Sequence, residues 1–352
     1  MNKIKLGVIF GGTSTEHDVS IVSGTSVIKN LNKEKYDITP IYIEKDGTWH
    51  KYTKPVEEIK VLTIGETLTQ TEPIDNIITT LQSLDVVFPV LHGLGGEDGS
   101  IQGMFELLGI PYVGCGILAS SVGMDKAYTK VVFEKACIRQ AEYEYVKAIK
   151  ENYYYIDKEF NETPMDLEVI CGIIEMNINY PMFVKPSNSG SSVGISKVTN
   201  GEELKKAIEY AAQYDTKILI EEELKGKEIE CAVLGNEDVI SSCVGEIKAA
   251  EEFYSYDAKY NNAASQTIMP ADISKELSNE VRELAVKAFK AIDGKGLARV
   301  DFFVDEQEEA VYINEINTMP GFTKISMYPQ LWEASGIAYE DLIDRLIELA
   351  LE

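Results

Sequence analysis

The sequence predicts an α/β protein that begins with a doubly wound parallel-sheet domain and continues as α+β, and three observations support this. Apolar runs at residues 4–10, 38–43 and 85–93 alternate with helix-like segments, which is the order of a parallel sheet. The first and third runs end in glycine-rich loops, as buried strands of such sheets do. From residue 181 onward, strand-like runs are joined by short turns, which indicates an α+β arrangement.

The helices of the first domain are predicted at residues 19–31 and 100–109, the second closed by a glycine. Ligands of doubly wound sheets lie beyond the carboxyl ends of the strands. The loops at 12–20 and 92–100 both follow predicted strands. We therefore expect these two loops to face one ligand-binding cleft.

The rest of the chain is predicted to form two further domains, giving limits of 1–114, 115–221 and 222–352. A polar stretch rich in tyrosine, 143–165, carries too little pattern for an assignment. The other predicted elements are helices at 124–136, 202–215 and 274–292, a strand–turn–strand unit at 181–198, a strand at 217–224, two strands paired around the turn 235–238, and a C-terminal helix. Ser274 is the expected N-cap of the third of these helices.

Charge and cysteine content exclude several classes of protein. The net charge of −25 over 352 residues opposes binding to nucleic acid or to anionic membranes, because both are polyanions. The five cysteines are scattered and include no CxxC pair, which argues against a disulfide framework and a zinc site. No stretch approaches the roughly 20 apolar residues of a membrane span. We expect a soluble cytoplasmic protein.

A small-residue turn at 186–194 follows Lys185 and joins two predicted strands. Glycine and serine let main-chain N–H groups approach a phosphate, and the lysine and hydroxyls add donors. The loop differs from a Walker A motif, which opens a helix. It is either a phosphate-binding loop or a tight hairpin.

Four polar residues lie on two consecutive predicted strands near the C-terminus: Arg299, Asp301, Glu315 and Asn317. Strand alternation places the members of each pair on one face, so adjacent strands would bring the three oxygen-bearing side chains together. Mg²⁺ prefers such hard oxygens together with substrate phosphates. Arg299, one of four arginines in the chain, lies in an apolar strand. It either meets an anionic ligand or forms an internal ion pair.

Three further features are open to two interpretations each. Glu16, after the first strand, would either receive a substrate ammonium group or cap the following helix. His17 and His92 lie in the two loops that face the predicted cleft, where a histidine can also serve as a loop hydrogen-bonding group. The tyrosine-rich segment 253–260 is either a lid that excludes water or a packed surface loop.

Together these motifs closely resemble the D-alanine–D-alanine ligases, which have the ATP-grasp fold. The resemblance extends over nearly the whole chain. Its segments are FGGTSTEHDVS, FPVLHGLGGEDGSIQGMFELLGIPYVG, MDK, VKPSNSGSSVGISKV, EFYSYDAKY, ARVDFF and NEINTMPGFTKISMYPQLWEASGI. It implies that D-alanine is phosphorylated by ATP to an acyl phosphate, which the amine of a second D-alanine then attacks. It also implies a homodimer.

The resemblance assigns roles to the residues of these segments. Glu16 would bind the first ammonium group, with Ser191 and Tyr260 forming a lid contact to it. Arg299 and the N–H of Gly321 would stabilise the tetrahedral intermediate, and Ser326 would meet the second carboxylate. The nucleotide would be held by Lys126, Lys185 and Ser192 at the phosphates, by Glu221, Glu222, Leu224 and Glu228 around the adenosine, and by Asn314. Two Mg²⁺ ions, with Mn²⁺ as the alternative metal, would be held by Asp301, Glu315 and Asn317.

The chain departs from common family forms beside Ser326. Many relatives carry histidine where this chain has Ile325, so the second substrate would have fewer polar contacts here. Relatives that use D-serine or D-lactate often carry arginine where this chain has Met327, and an apolar side chain suits the methyl group of D-alanine. The expected product is D-alanyl-D-alanine for peptidoglycan synthesis, and a D-serine or D-lactate ligase of the vancomycin-resistance type is the alternative.

Overall fold

A computed structural model describes residues 3–190, 193–248 and 266–352. Within these ranges the chain forms three β-sheets and ten α-helices. No helix in the described part of the chain is long and apolar enough to cross a membrane.

The first sheet has the strand order β4-β3-β2-β1-β5. Its elements are β1 (Ile4–Gly11), α1 (His17–Asn30), β2 (Tyr36–Ile43), β3 (Trp49–Tyr52), a 3₁₀ turn (Val56–Glu58), β4 (Thr71–Pro73), α2 (Ile77–Gln82), β5 (Val86–Val90) and α3 (Ser100–Leu108). Strand β1 is parallel to both β2 and β5, as predicted. Strands β3 and β4 are short antiparallel additions at one edge, which the pattern did not predict.

The second sheet has the order β10-β9-β11-β6-β7-β8. Its region contains α4 (Ile117–Met124), α5 (Lys126–Lys135), β6 (Tyr143–Ile149), β7 (Asn152–Ile156), β8 (Glu162–Met165), α6 (Leu167–Asn177), β9 (Met182–Pro186), β10 (Ser196–Val198), α7 (Gly201–Ala211) and β11 (Lys217–Glu222). The single helix predicted at 124–136 begins instead at Lys126. Asp125 leaves the helical conformation there and caps α5 by accepting a hydrogen bond from the N–H of Tyr128.

The third sheet has the order β14-β13-β12-β15-β16. Its elements are β12 (Lys227–Gly235), β13 (Ile240–Lys248), β14 (Gln266–Ile268), α8 (Lys275–Ala291), β15 (Gly296–Asp305) and β16 (Ala310–Asn317), followed by α9 (Met327–Ala334) and α10 (Tyr339–Ala350). The predicted pairing of β12 with β13 is confirmed. Ser274 accepts a hydrogen bond from the N–H of Leu277, which confirms it as the N-cap of α8.

The apolar cores join segments that are distant in the sequence. Leu6 and Phe88 of the first sheet share a core with Leu342 and Leu346 of α10. Phe133 of α5 is buried with α8 and the third sheet. The second sheet has its own core against α6 and α7. The domain limits given above stay a prediction.

Candidate functional site

One cleft of about 1030 Å³ is lined by residues from all three sheets and the loops that follow them. Every predicted site residue in the described part of the chain lines it. These residues are Glu16, Lys126, Lys185, Glu221, Glu222, Leu224, Glu228, Arg299, Asp301, Asn314, Glu315, Asn317, Gly321 and Ser326. Ser191, Ser192, Tyr260 and the predicted lid segment lie outside the described residues.

Antiparallel pairing of β15 and β16 brings four of these side chains together. Arg299 is opposite Asn317, and Asp301 is opposite Glu315. The register shifts immediately after Asp301, where a bulge interrupts the ladder. The strands are therefore adjacent, which is the condition on which the sequence interpretation depended.

The guanidinium group of Arg299 is fixed by two carboxylates. Its Nε and Nη2 atoms donate to the two oxygens of Asp301 at 2.7 Å each. Nε also lies 2.9 Å from Glu230 Oε2. Burial opposes the charged form, but these carboxylates raise the pKa of Arg299 well above its usual value. These contacts fix the cation through Nε and Nη2, two of the three nitrogens of the guanidinium group.

The oxygen donors beside Arg299 fit a hard divalent cation. Asp301, Glu315 and Asn317 together offer two carboxylates and an amide oxygen, the donors that Mg²⁺ prefers. The amide nitrogen of Asn317 donates to Asp301 Oδ2 at 3.0 Å, which leaves its carbonyl oxygen available for a ligand. Between residues 3 and 352, outside the two internal gaps, no cluster of three or more histidine, cysteine or acidic side chains is arranged to hold a metal.

The start of α5 is tied to the serine–glycine loop. The Nζ of Lys126 donates to the carbonyl of Ser189 at 2.8 Å and lies 3.8 Å from Glu315 Oε2. Asp125 accepts from the hydroxyl of Ser187 at 2.6 Å. The loop therefore lies against a lysine at a helix N-terminus, where a phosphate would be stabilised.

A buried ion cluster lies beside the cleft, at Glu221. Glu221 pairs with Lys130, whose Nζ lies 2.5 Å from Oε1, and with Lys185 through its other oxygen. Burial alone would raise the pKa of Glu221, but the two lysines lower it to about 2. The sequence interpretation missed Lys130. Its position four residues after Lys126 on one helix was the available signal, since such residues share a face.

Glu16 lies in the cleft, whereas its neighbour His17 points away from it. Glu16 occupies the N-cap position of α1 without a side-chain capping bond. A methyl group added at Gly93 or Gly190 would lie 2.7 or 2.8 Å from Glu16 Oε2, so both glycines make room for this carboxylate in the cleft. The expectation that His17 faces the cleft was wrong. It is buried and bonds to the carbonyl of Gly12 and the hydroxyl of Tyr42.

A second carboxylate, Glu97, lies near Glu16 and accepts from the N–H of Gly93 at 2.8 Å. Burial raises the pKa of Glu97 to about 8, and the negative charge of Glu16 adds to the effect. Glu97 is therefore predominantly protonated at neutral pH.

This shift predicts a pH-dependent stability. Because the pKa of Glu97 is about 8 in the fold and 4.5 as the reference value, folding takes up a proton between these pH values. Stability is therefore lost as pH rises through that window. We expect Glu97→Gln to reduce the fall in Tm between pH 5 and 8, measured calorimetrically. Asp98→Asn, in the same loop, is the control, and an unchanged pH profile in Glu97→Gln would refute the assignment.

The loop after β16 places Gly321 and Ser326 at the other end of the cleft. Ser326 Oγ accepts from the N–H of Thr323 at 3.0 Å and lies 2.8 Å from its hydroxyl oxygen. Ile325 is 83% exposed, whereas Met327 is buried. A methyl group added at Gly245 would lie 2.8 Å from Met327 Cε, so this glycine admits the methionine side chain.

Known proteins resemble this chain over nearly its whole length. Residues 5–115 match the family model described as D-ala D-ala ligase N-terminus, and residues 150–348 match D-ala D-ala ligase C-terminus. A D-alanine--D-alanine ligase of Acetivibrio thermocellus is 51% identical, covering 100% of this chain and 96% of the relative. One of Clostridium novyi is 49% identical, covering 99% and 98%.

Solved structures show the same fold. The VanG D-Ala:D-Ser ligase of Enterococcus faecalis has a TM-score of 0.85 at 38% identity, covering 99% of this chain and 100% of the other. The D-alanine-D-alanine ligase of Coxiella burnetii has a TM-score of 0.80 at 34% identity, covering 99% and 94%. The predicted ATP-grasp fold is confirmed. With both family models matched and relatives near 50% identity over the full length, this chain belongs to the D-alanine–D-alanine ligase family.

Proposed function

We propose that this chain joins two D-alanine molecules at the expense of ATP, releasing ADP and phosphate and supplying D-alanyl-D-alanine for peptidoglycan. The observation that carries the proposal is the fixed Arg299 cation, which shares one cleft with Lys126, Lys185 and the oxygen donors of β15 and β16. In a chain of charge −25, this local set of cations suits a triphosphate and a developing oxyanion.

The first step is phosphoryl transfer to the carboxylate of D-alanine. Positioning and charge neutralisation dominate such transfers, because the protein supplies little covalent chemistry. Lys126 and Lys185 would hold the phosphates beneath the serine–glycine loop, with Ser192 as an added donor. Glu221, Glu222, Leu224 and Glu228 would line the adenosine pocket, and Asn314 would complete the nucleotide site. Glu16 would hold the ammonium group of the first D-alanine.

The second step is attack of an amine on the acyl phosphate. The nitrogen lone pair bonds to the acyl carbon, a tetrahedral oxyanion forms, the carbon–oxygen bond to phosphate then breaks, and the proton lost from the amine leaves with the phosphate. Arg299 and the N–H of Gly321 would stabilise that oxyanion, and one such donor contributes roughly 3–4 kcal/mol. Ser326 would bind the carboxylate of the attacking amino acid. Closure of Ser191 and Tyr260 over Glu16 would exclude water from the acyl phosphate.

We propose two Mg²⁺ ions, replaceable by Mn²⁺, held by Asp301, Glu315 and Asn317. When bound, these ions would neutralise phosphate charge as it develops. Asp301 would then bind both a metal ion and Arg299. This shared carboxylate would keep the guanidinium group beside the phosphates.

D-Alanine is the second substrate in this proposal. Met327 presents an apolar side chain beside Ser326, which suits a methyl group better than a hydroxyl. The likeness to a D-Ala:D-Ser ligase structure makes D-serine the alternative, while the full-length relatives near 50% identity are named D-alanine--D-alanine ligases.

The deciding experiment is phosphate release with ATP and Mg²⁺, with products identified by mass. D-Alanine alone is compared with D-alanine plus D-serine or D-lactate. Release with D-alanine alone, yielding the dipeptide, is the expected result. Turnover only after addition of D-serine or D-lactate would overturn the assignment of the second substrate, and absence of turnover in all mixtures would overturn the function.

Removal of one lysine tests the phosphate site. Lys185→Ala is expected to weaken ATP binding about 10- to 100-fold, because a hydrogen bond to a charged group contributes about 1.5–3 kcal/mol. Isothermal titration with a non-hydrolysable ATP analogue measures the effect. Lys197→Ala is the control, since Lys197 pairs with Glu223 at 2.7 Å in a partly exposed position. An unchanged Kd in Lys185→Ala would remove the lysine from the phosphate site.

We propose a homodimer formed through α3 and α4. Leu107 and Leu118 are 90% and 60% exposed on these two neighbouring helices. Exposed large apolar side chains on adjacent helices mark a candidate subunit interface. We expect Leu107→Asp with Leu118→Asp to convert a dimer to a monomer in sedimentation velocity. Met176→Asp, at an 81% exposed site on α6, is the control. A dimer that survives the double substitution would exclude this surface.

The cytoplasm is the proposed location. All five cysteines are unpaired thiols in the structure, as expected in a reducing compartment. The nucleotide requirement fits the same compartment.

A further inference from the structure

The segment 319–322 carries Gly321, and its main chain bonds to the Glu97 carboxylate and to three further side chains. His92 Nδ1 lies 3.0 Å from the carbonyl oxygen of Met319. The N–H of Phe322 donates to Ser23 Oγ at 3.2 Å. The hydroxyl of Tyr339 donates to the carbonyl of Phe322 at 2.6 Å. None of the three bonds uses Gly321 itself.

Two of these groups form a single chain of hydrogen bonds. The carbonyl of Met319 can only accept, so His92 Nδ1 carries a proton, and His92 Nε2 lies 3.0 Å from Ser23 Oγ. Burial lowers the pKa of His92, which favours the neutral ring. Nε2 then accepts from Ser23, whose oxygen in turn accepts from Phe322. With the ring proton on Nδ1, every donor and acceptor in this series of hydrogen bonds has a partner.

The third bond comes from the C-terminal helix. Tyr339 is 5% exposed and lies at the start of α10. Its ring packs against Phe322 at a centroid distance of 5.7 Å, and Tyr328 packs against the same ring at 5.7 Å. The hydroxyl of Tyr328, however, donates to the carbonyl of Val233 on β12 at 3.0 Å. The two tyrosines thus share their packing partner and differ in the carbonyl that they bind.

These bonds fix the peptide that carries the Gly321 N–H. That peptide joins Pro320 to Gly321, and the peptides on either side of it are held at Met319 and Phe322. The ring of Pro320 restricts φ to near −65°, which removes a further degree of freedom. Within the described residues the Gly321 N–H has no hydrogen-bond partner, and Gly321 lines the cleft. The Gly321 N–H is therefore held in place by the hydrogen bonds of Met319 and Phe322.

We propose that Tyr339 and Ser23 are positioning residues for the ligation step, holding the Phe322 main chain so that the Gly321 N–H is aimed at the oxyanion. This inference rests on the proposed role of Gly321. A preset donor is effective because it needs no reorganisation as the negative charge develops. Tyr339 and Ser23 act through Phe322 and touch no substrate in this arrangement.

The test is a rapid-quench single turnover with radiolabelled ATP that follows ADP and dipeptide separately. Tyr339→Phe keeps the packed ring and removes only the hydroxyl, and Tyr328→Phe is its matched control. We expect Tyr339→Phe to slow dipeptide formation about 10- to 100-fold, the range for a displaced catalytic group. The rate of ADP formation and the KM for ATP should stay unchanged, because phosphoryl transfer precedes the oxyanion. Ser23→Ala should act in the same direction.

Each outcome decides the proposal. An unchanged dipeptide rate in both Tyr339→Phe and Ser23→Ala would overturn it. Equal slowing of ADP and dipeptide formation, or equal slowing in Tyr328→Phe, would show a merely structural effect and would also overturn it. Arg299→Lys, measured in parallel, separates failure of the positioning role from failure of the oxyanion assignment. If it slows dipeptide formation while Tyr339→Phe and Ser23→Ala do not, only the positioning role fails. If none of the three slows it, the oxyanion assignment fails as well.

Discussion

Arg299→Lys is expected to lower kcat by on the order of 10²–10³ with little change in the KM for ATP, as for removal of one oxyanion donor. Lysine keeps the positive charge but cannot bind Asp301 through two parallel donors, so its ammonium group would lie elsewhere. Steady-state kinetics with D-alanine and ATP provide the measurement. Normal turnover would remove Arg299 from the chemical step.

Arg299→Ala separates catalysis from folding. It leaves Asp301 and Glu230 buried without their shared cation, a loss that costs about 3–5 kcal/mol for a buried pair. We expect Arg299→Ala to lower the free energy of unfolding, measured in urea, and Arg299→Lys to lower it less. Both variants should lose activity. Arg282→Ala is the control, since this exposed side chain donates to the carbonyl of Ser241 at 3.3 Å.

Glu221→Gln is expected to lower the free energy of unfolding by about 3–5 kcal/mol, because Lys130 would keep its burial and lose its counter-charge. Urea unfolding followed by circular dichroism gives the value. Glu223→Gln is the matched control. Its partner Lys197 is partly exposed, and such a pair contributes about 0–1 kcal/mol.

The same substitution has a defined pH dependence. The pKa of Glu221 falls from 4.5 to about 2 on folding, so its stabilising contribution is fully present above pH 4.5. It is lost as pH falls toward 2. The difference in stability between the parent and Glu221→Gln should therefore be constant near neutral pH and shrink in acid. A difference that grows in acid would contradict the ion cluster.

Regular local patterns made much of the fold predictable. The apolar run of β1 ends at two glycines, and Ser274 and Gly109 mark helix ends whose chemistry is local. Strand alternation alone predicted that Arg299 and Asp301 share one face of their strand, and that Glu315 and Asn317 share one face of theirs. The roles of these residues came from the family resemblance, because many chemistries share such a pattern.

The stretch 143–165 could not be predicted because its first strand buries a glutamate and turns tyrosines to the less buried face. In β6, the buried positions are Glu144, Val146 and Ala148, while tyrosines occupy the other face. Glu144 is satisfied by Tyr155 at 2.8 Å and by Asn177 at 2.7 Å. Those partners come from β7 and the end of α6, so the feature that makes a buried glutamate acceptable is invisible in the local sequence.

The sequence interpretation missed Lys130 and placed His17 wrongly for a similar reason. A lysine on a helix is usually solvated, and only the tertiary contact with Glu221 shows that Lys130 is buried. His17 follows a cleft loop in sequence, yet its ring turns toward Tyr42 of the neighbouring strand. Direction of a side chain at a loop–helix junction depends on packing that no spacing rule describes.

The core shared by the first sheet and α10 has a consequence for biosynthesis. Leu6 and Phe88 leave the ribosome long before Leu342 and Leu346, which cover the same core. Domains at the N-terminus usually fold during synthesis. Here the nascent first sheet stays incompletely covered until α10 has left the ribosome, so its closure comes after the synthesis of all three sheets. A ribosome-bound chain stalled before residue 339 would expose apolar surface that a chaperone can bind.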